Sequence, residues 1–421
     1  MEQLLHYVWK HKIFPLKELK TTSGQLLEII DTGLSNSNSG PDFFNAKIKL
    51  DGVLWVGNVE IHVFSSDWYK HGHNVDKAYD NVILHVATHI DSDVCRSNGE
   101  IVPQFQMECP KHVCSNFEEL SATDSYPPCY RIIPTLSSFT IHSWMSALQM
   151  ERFQQKTAQL SHRLLFCNNH WEDAFFMTLA RNFGFGLNGD AFEIWAKHIP
   201  LRAVDKHRDS LFQIEALFFG QAGILTDRDG DEYYLRLKRE YEYLAHKFSL
   251  SPMDVSHWRF LRLRPNNFPH IRIAQLACLY HRSYHLLSQL MEKSSLKEIR
   301  GILRGGTSEY WINHYTFGNS TEAHPKTLSD SSLDLLIINT VVTFLYAYGI
   351  HKGNEELCAR ATAFLEELKP ENNYIIRMWK QCGLQVTHAG DSQALIQLKK
   401  EYCDKKKCLY CRIGYEYLKR K

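Results

Sequence analysis

Residues 46–64, AKIKLDGVLWVGNVEIHVF, contain two apolar stretches rich in β-branched residues on either side of Asp51-Gly52. Asp-Gly between two such stretches is a strong signal for a two-residue β-hairpin, because both central residues of that turn take positive φ. Alternation in the second stretch puts Glu60 and His62 on one face of the predicted strand and apolar side chains on the other. The stretch therefore predicts an antiparallel pair of strands with polar side chains on one side.

The residues around this hairpin continue the strand pattern and begin with a helix. The N-terminal MEQLLHYVWKHKIF has apolar residues on one face, which predicts a short amphipathic helix. Three more stretches, separated by Gly, Asn, Asp and Ser, have the composition of strands: QLLEII (25–30), NVILHVATHI (81–90) and IVPQFQM (101–107). The order of these elements predicts a small mixed sheet with helices at its faces.

A Pro- and Ser-rich connection, SATDSYPPCYRIIPT, is followed by a part of the chain in which apolar residues recur at helical spacing. Eight such stretches occur, several of them begun by Asp or Ser and followed by Gly. We therefore predict an α+β domain at residues 1–120, a linker at 121–136 and an all-α domain at 137–421. The all-α domain ends in a basic helical hairpin that contains cysteines.

The composition limits the classes of function. A chain of 421 residues is long for one core, so we expect two domains. A net charge of +1 argues against a basic protein that wraps nucleic acid but leaves local basic patches open. The N-terminus has no secretory signal and no run of about eighteen apolar residues occurs, so we expect a cytoplasmic protein with reduced thiols and no membrane segment. The 22 histidines are the unusual count, because histidine titrates near neutral pH and ligates metals.

Two carboxylates are expected to meet at one end of the predicted hairpin. Asp42 precedes its first strand and Glu60 lies in its second, each about nine residues from the turn. Two neighbouring carboxylates repel one another unless a cation or a shared proton lies between them. A divalent ion with oxygen ligands, Mg²⁺ or Mn²⁺, is the usual solution.

This arrangement resembles the PD-(D/E)XK nuclease-like superfamily, in which Pro-Asp is followed one strand later by Glu-x-Lys. Here Pro41-Asp42 and Glu60-x-His62 occupy those positions. The resemblance implies a restriction-endonuclease-like fold in which Asp42 and Glu60 hold the metal. His62 stands where the superfamily has the lysine that orients or deprotonates water. A neutral histidine can act as a base or as a third metal ligand, and the replacement is equally compatible with lost activity.

Further polar residues follow the second strand of the hairpin. His71 and His73 flank Gly72, and they can chelate one ion or protonate a leaving group if the backbone turns at that glycine. The alternative for both is a solvent-exposed loop. His85, in the next strand, is either part of this site or a buried histidine bonded to a neighbour. The predicted catalytic set is therefore Asp42, Glu60, His62, His71 and His73.

The whole chain also resembles an uncharacterised bacterial family of domains of unknown function. The motifs that carry this resemblance run from end to end: GPDF, GNVEIH, SDWxxHxH, NVILHV, LRPxNFPxxRIAQLA and a C-terminal CxxC. The resemblance implies that the two parts of the chain form one evolved unit, and it implies no activity.

A second metal site is predicted near the C-terminus. Cys403, Cys408 and Cys411 form a C-x₄-C-x₂-C run that can offer three thiolates to Zn²⁺ or to an iron–sulfur cluster. The fourth ligand would be Cys382 or His388. The alternative is a helical turn that happens to contain cysteines. Lysines and arginines beside this run can contact phosphate or remain solvated.

Three functions remain open from the sequence. The first is a cytoplasmic, metal-dependent nuclease or phosphodiesterase that cleaves nucleic acid by attack of water. The second is an inactive nuclease-like module that binds nucleic acid or protein, and the third is a structural interaction protein. In each case the helical domain offers a surface for substrate or for a protein partner.

Overall fold

The computed structural model describes residues 1–14, 18–36, 38–122, 127–226 and 229–420. The chain forms two compact units. The first consists of Met1–Ile141, Gln381–Leu384 and Leu398–Lys421, and the second of His142–Lys380 and Gln385–Gln397. A mixed α/β class, with a sheet in the N-terminal part and a largely helical remainder, is confirmed.

The first unit is built around a six-stranded mixed sheet. Its elements up to residue 122 are α1 (Glu2–Lys10), β1 (Leu27–Asp31), β2 (Leu34–Ser35), β3 (Phe43–Leu50), β4 (Val53–Phe64), α2 (Asp67–Lys70), β5 (Val82–His89), β6 (Gln104–Gln106) and α3 (Lys111–Ala122). The strand order is β1-β3-β4-β5-β6, with β2 also beside β3. Strand β3 is antiparallel to β1, β2 and β4, whereas β5 is parallel to both β4 and β6. Helix α1 packs against β4 through its buried face.

The β3–β4 hairpin turns where the sequence predicts. Leu50 pairs with Val53, and the intervening Asp51 and Gly52 have φ of 47° and 84°, as a type I′ turn requires. Farther along, the register shifts by one residue between Phe43 and Ala46, where Asn45 has a φ of 54°. Phe43 therefore pairs with Val59. Asp42, which precedes Phe43, then lies beside Glu60, which follows Val59. That bulge decides which side chains meet at this end of the sheet.

Gly57 in β4 lies directly against β5, so we expect Gly57→Ala to lower the free energy of unfolding by about 2 kcal/mol through overpacking. An added Cβ would stand 2.4 Å from Ile83 Cγ2 and 2.7 Å from the carbonyl oxygen of Asn81, so the parallel strands would have to separate. Urea titration measures the change. Gly301→Ala is the matched control, because nothing lies within 4 Å of its added Cβ. Equal stability of the wild type and Gly57→Ala would contradict this account of the β4–β5 contact.

The second unit is helical. Its helices are α4 (Ser138–Phe166), which starts in the first unit, α5 (Trp171–Phe183), α6 (Gly189–Lys197), α7 (Leu201–Lys206), α8 (Leu211–Gln221), α9 (Glu232–Phe248), α10 (Pro269–Arg282), α11 (Leu286–Glu292), α12 (Leu296–Leu303), α13 (Asp330–Leu336), α14 (Val342–Lys352), α15 (Glu355–Glu367), α16 (Tyr374–Gln381) and α17 (Ala389–Gln397). Side-chain oxygens of Ser210 and Asp231 cap α8 and α9, in agreement with the predicted start signals, and Ser295 caps α12 in the same way. Buried aromatic residues such as Phe175, Phe176, Trp195, Phe218 and Phe219 form much of its core.

One helical stretch in the described part of the chain is long and apolar enough to cross a membrane. It is Asp330–Lys352, in which a π-helical turn joins α13 to α14. Of its apolar window, 72% is buried inside the protein. Such burial is typical of the core helix of a globular protein.

The C-terminal segment groups with the sheet, whereas we predicted that it ends the helical domain. It comprises a π-helical turn at Leu398–Cys403, a 3₁₀ turn at Cys408–Tyr410 and α18 (Arg412–Leu418). Helix α18 packs against α3, and the amide nitrogen of Asn116 on α3 donates to the carbonyl oxygens of Tyr417, at 3.2 Å, and Arg420, at 2.8 Å. These contacts hold the last residues in the first unit.

The predicted linker at 121–136 contains regular structure where it is described, and residues 123–126 lie outside the described part of the chain. Residues 121 and 122 end α3, and two 3₁₀ helices follow, Pro128–Arg131 and Ile133–Thr135, in which Cys129 and Ile133 are buried. Burial of these side chains makes this segment part of the first unit, because apolar groups withdrawn from water stabilise the packed state.

Candidate functional site

The five residues predicted as catalytic come together in the first unit. Glu60 and His62 project from β4, and Asp42 immediately precedes β3. His71 and His73 follow α2, and the backbone turns between them at Gly72, which has a φ of 75°. A sixth polar residue, His85, reaches the group from β5. The site thus gathers side chains from the parallel strands β4 and β5, from the residue before β3 and from the segment after α2.

Asp42 and Glu60 are bound to each other's strands. The backbone N–H of Asp42 donates to Glu60 Oε2 at 3.0 Å, and Asp42 Oδ2 accepts from the backbone N–H of Ile61 at 2.9 Å. This reciprocal pair follows from the bulge at Asn45, which aligns Asp42 with Glu60. His6 Nε2 on α1 also lies 3.2 Å from Asp42 Oδ2. Both carboxylates are therefore fixed in orientation by backbone and side-chain donors.

Glu60 is the buried centre of the group, with only 5% of its surface exposed. Its Oε1 lies 3.2 Å from His73 Nε2 and 3.5 Å from His62 Nε2. Burial raises the pKa of Glu60, and the nearby charge of Asp42 raises it further, while the hydrogen bond from His73 lowers it. A carboxylate in this position gains from any nearby cation, because its own charge is poorly solvated.

A chain of hydrogen bonds passes from His62 through His85 to Gln104. His62 Nδ1 lies 2.9 Å from His85 Nε2, and His85 Nδ1 lies 3.5 Å from Gln104 Nε2. Gln104 Nε2 also donates to the carbonyl oxygen of Ser92 at 3.1 Å, which fixes the amide orientation. The chain therefore assigns the His85 proton to Nε2 and the His62 proton to Nε2. That proton faces Glu60 Oε1 and His71 Nδ1, the latter at 3.1 Å.

His62 and His85 are held neutral. Burial, together with the neighbouring imidazoles, lowers the pKa of each to about 3. A general base works best when its pKa is close to the operating pH, so His62 is a weak proton acceptor at neutral pH. Its position favours a role as a metal ligand or a hydrogen-bond donor over the role of the base that its place in the motif implies.

His71 and His73 differ in their surroundings. His71 is exposed, whereas His73 is buried and stacks on Tyr79 with 3.8 Å between ring centroids. The fully buried Trp68 packs edge-on against His73, and its Nε1 donates to the carbonyl oxygen of Cys95 at 3.0 Å. A wholly solvent-exposed loop, the alternative for this segment, does not describe His73. Trp68 is therefore a packing anchor for this segment.

The site has the donors that a transition metal prefers. His62, His71 and His73 each offer a nitrogen, and these three atoms lie within 4.8 Å of one another. With the Glu60 carboxylate beside two of them, the set combines imidazole nitrogen with carboxylate oxygen. Imidazole suits Zn²⁺ and Fe²⁺, whereas Mg²⁺ prefers oxygen ligands alone. The donors therefore fit a divalent transition-metal ion and fit Mg²⁺ less well than the motif implies.

Two residues of the site were not predicted. His6 lies beside the apolar face of α1, and only its position next to that buried face could have drawn attention to it. Gln104 lies on the short strand β6, and no feature of IVPQFQM marks it as a partner of His85. His6 lies next to Asp42, and Gln104 lies next to His85, but neither residue belongs to the motif of its neighbour.

The predicted C-terminal cysteines lie in one short loop of the first unit, closed by the hydrogen bond from the Cys411 N–H to the carbonyl oxygen of Cys408. Of the two residues considered as their fourth partner, Cys382 belongs to the same unit, and burial raises the pKa of its thiol. His388 belongs to the second unit, where its Nδ1 accepts from the backbone N–H of Asp391 at 3.3 Å.

The fold and site define a mixed α/β protein with a buried cluster of carboxylates and imidazoles, which is a common setting for metal binding and hydrolysis. The chain belongs to the family described as "Protein of unknown function (DUF2851)", which matches residues 2–374. The predicted membership of an uncharacterised family is thus confirmed. The three C-terminal cysteines lie beyond the matched residues. No curated protein and no solved structure matches the chain.

Proposed function

We propose that the first unit is a metal-dependent phosphodiesterase of the PD-(D/E)XK nuclease-like kind, which cleaves nucleic acid by attack of water on phosphorus. The observation that carries the proposal is the position of Asp42 beside Glu60, with the imidazoles of His62 and His73 next to Glu60 and that of His71 grouped with them. The order α1, β1, β3, β4, α2, β5, with three antiparallel strands followed by a parallel one, supports the likeness to that superfamily.

Each side chain of the site has a separate role in the proposed reaction. Asp42, Glu60, His62 and His73 would hold the ion, which when bound supplies positive charge to the phosphoryl group and acidifies water. Backbone donors keep the two carboxylates in place, so little reorganisation is needed on binding. The exposed His71 is the imidazole placed to exchange a proton with solvent or with a leaving group. Because Nε2 of His62 carries a proton in the assigned tautomer, metal binding there requires that proton to leave.

An inactive module that binds nucleic acid or protein is the second candidate. The observation that favours it is the neutral, buried His62, whose pKa is about 3, in the place of a lysine. Such a module would bind its ligand in a salt-sensitive manner that chelation of metal leaves unchanged. We expect a cytoplasmic location for either candidate, and this location remains a prediction from the sequence.

Cleavage assays on single- and double-stranded DNA and RNA test the enzyme. We expect the wild type to cleave at least one of these substrates with Mn²⁺, more slowly with Mg²⁺, and not at all in EDTA, because the donor set favours a transition metal. Asp42→Ala/Glu60→Ala sets the background. If the wild type is no more active than this double variant with any metal, the proposed enzymatic activity is wrong. Binding of nucleic acid that persists in EDTA would then support the inactive module.

A further inference from the structure

One stretch of the second unit carries positive charge that no acid in the same stretch balances. No Asp or Glu occurs from residue 255 to residue 291, whereas five arginines do. Three of these, Arg259, Arg262 and Arg264, lie between the buried Trp258 and the 3₁₀ helix Pro265–Asn267. We call residues 259–264 the arginine loop. It leads into the LRPxNFPxxRIAQLA motif, to which the proposed function gives no role.

The side chains of the three arginines are exposed and have no acidic partner. All three are exposed to solvent, and in the part of the chain that the structure describes none of their guanidinium groups forms an ion pair. Other arginines of this unit do form ion pairs, as Arg163 does with Glu193 at 2.8 Å. The arginine loop therefore presents a local excess of positive charge on a chain whose net charge is only +1.

The backbone of the loop is held in place by hydrogen bonds. The Asn188 side chain binds both backbone groups of Arg259: its Nδ2 donates to the carbonyl oxygen at 2.8 Å and its Oδ1 accepts from the N–H at 2.9 Å. The N–H of Leu263 donates to the carbonyl oxygen of Phe260 at 3.1 Å and closes a turn. Because the backbone is already ordered, a ligand that binds the arginine side chains has little backbone freedom to remove.

A fourth arginine, Arg272 on α10, lies buried beside the base of the loop. Only 5% of its surface is exposed, and its guanidinium donates to two neutral oxygens, Gln275 Oε1 at 2.9 Å and Asn267 Oδ1 at 2.6 Å. Its Nε has no hydrogen-bond partner among the described residues. The N–H of Asn267 donates to the carbonyl oxygen of Arg264 at 2.8 Å, which joins Arg272 to the loop. A buried cation without a counter-ion is costly, and an anion bound nearby would lower that cost.

Apolar side chains alternate with the arginines of the loop. Phe260 exposes 37% of its surface and Leu261 exposes 82%. The Phe260 ring packs edge-on against Phe268, with 5.5 Å between the ring centroids, which fixes its orientation. Guanidinium groups bind phosphate through paired hydrogen bonds, and exposed aromatic rings stack on unpaired bases. Single-stranded nucleic acid offers both phosphates and unpaired bases, whereas an acidic protein segment offers only the negative charge.

We propose that the arginine loop binds single-stranded nucleic acid, with phosphates on Arg259, Arg262 and Arg264 and unpaired bases against Phe260 and Leu261. The inference rests on the proposed function for its choice of nucleic acid as the partner, and it adds a substrate-binding surface on the second unit. Arg272 contributes positive potential beneath the loop without contacting the strand. The surface shares no residue with the histidine cluster.

Binding of short, fluorescently labelled single strands of DNA and RNA to the full-length protein tests the surface. Fluorescence anisotropy in EDTA measures affinity while metal-dependent cleavage is prevented. We expect Arg259→Gln/Arg262→Gln/Arg264→Gln to bind at least about ten-fold more weakly than the wild type. The slope of log affinity against log salt concentration should also become shallower by about two, because each phosphate contact with a single strand releases about 0.7 of a counter-ion. Wild-type binding to neither strand, or binding that salt does not weaken, would overturn the proposal.

The matched control removes the same charge from three exposed arginines on separate helices of the second unit. This variant, Arg202→Gln/Arg239→Gln/Arg377→Gln, alters α7, α9 and α16 and should bind nearly as tightly as the wild type. Equal affinity of the two triple variants would overturn the proposal. Displacement of the labelled strand by polyglutamate at equal concentration would overturn the choice of nucleic acid in favour of an acidic protein.

Cleavage assays distinguish failure of this surface from failure of the proposed enzyme. If the wild type cleaves no strand but the loop variant alone loses binding, the surface is supported and the enzyme is not. If the wild type cleaves and the loop variant binds as tightly as the wild type, the surface is wrong and the enzyme stands.

Discussion

Glu60→Gln is expected to lower the metal-dependent cleavage rate about a thousand-fold, which corresponds to about 4 kcal/mol of lost transition-state stabilisation. Gln keeps the shape of Glu60 but removes the charge that would hold the ion. In metal-free buffer at pH 8 the same substitution should raise the melting temperature, because the ionised carboxylate is buried beside Asp42 and its pKa is raised by burial and by that neighbour. Cleavage rates with Mn²⁺ and thermal unfolding in EDTA measure the two effects.

A lower cleavage rate together with a higher melting temperature would show that Glu60 serves function and not stability. Glu28→Gln is the matched control: Glu28 is an exposed acid on β1, paired with Lys49 at 3.2 Å, and its loss should change neither rate nor melting temperature. If Glu60→Gln is inactive only because it is less stable than the wild type, the carboxylate serves the fold. Wild-type cleavage by Glu60→Gln would remove this residue from the proposed mechanism.

Glu215→Gln is expected to stabilise the second unit at alkaline pH by about 3 kcal/mol, the free energy that corresponds to the shift in pKa of Glu215. Glu215 on α8 is fully buried, and burial raises its pKa from 4.5 to about 7, although the hydroxyls of Tyr233 and Ser308 partly offset this by donating to Oε2. The folded protein keeps the Glu215 proton while the unfolded chain loses it above pH 4.5. The contribution of Glu215 to the free energy of unfolding is thus fully present below pH 4.5, and it is lost as the pH rises to about 7.

Urea unfolding of the second unit between pH 4 and pH 9 checks this prediction. The difference between Glu215→Gln and the wild type should grow from pH 4.5 to about 7 and then stay constant. Glu242→Gln, which alters an exposed acid on α9, should follow the wild type at every pH. A difference for Glu215→Gln that does not depend on pH would mean that Glu215 is not protonated in the folded protein.

The parts of the fold that local chemistry decides could be predicted from the sequence. Asp51-Gly52 can hardly form anything but a tight hairpin turn, because both residues accept positive φ, and strand alternation then places Glu60 with His62. The bulge at Asn45 could not be predicted. Asparagine tolerates positive φ in many contexts, so its presence does not say where a register shifts. Asp42 was expected near Glu60 from distance along the chain, and the bulge supplies the alignment.

The partners that complete each site come from segments without a motif. Gln104 is one amide on a three-residue strand, and its contact with His85 exists only because β6 pairs with β5. Cys129 lies in what composition describes as a linker, and it is buried in the first unit, where its 3₁₀ helix packs against α18. Contacts of this kind depend on tertiary packing, which short sequence patterns do not encode.

The return of the C-terminal segment to the first unit affects how the chain folds during its synthesis. Asn116 and Tyr417, which are hydrogen-bonded, are separated by 301 positions, so the ribosome must add the whole helical unit before this contact can form. The sheet can assemble early, but the contact of α3 with α18 must wait until the helical unit has been synthesised. A nascent chain that stalls after the helical unit would therefore expose the surface of α3 that α18 covers. Such a stalled chain would be a substrate for chaperones.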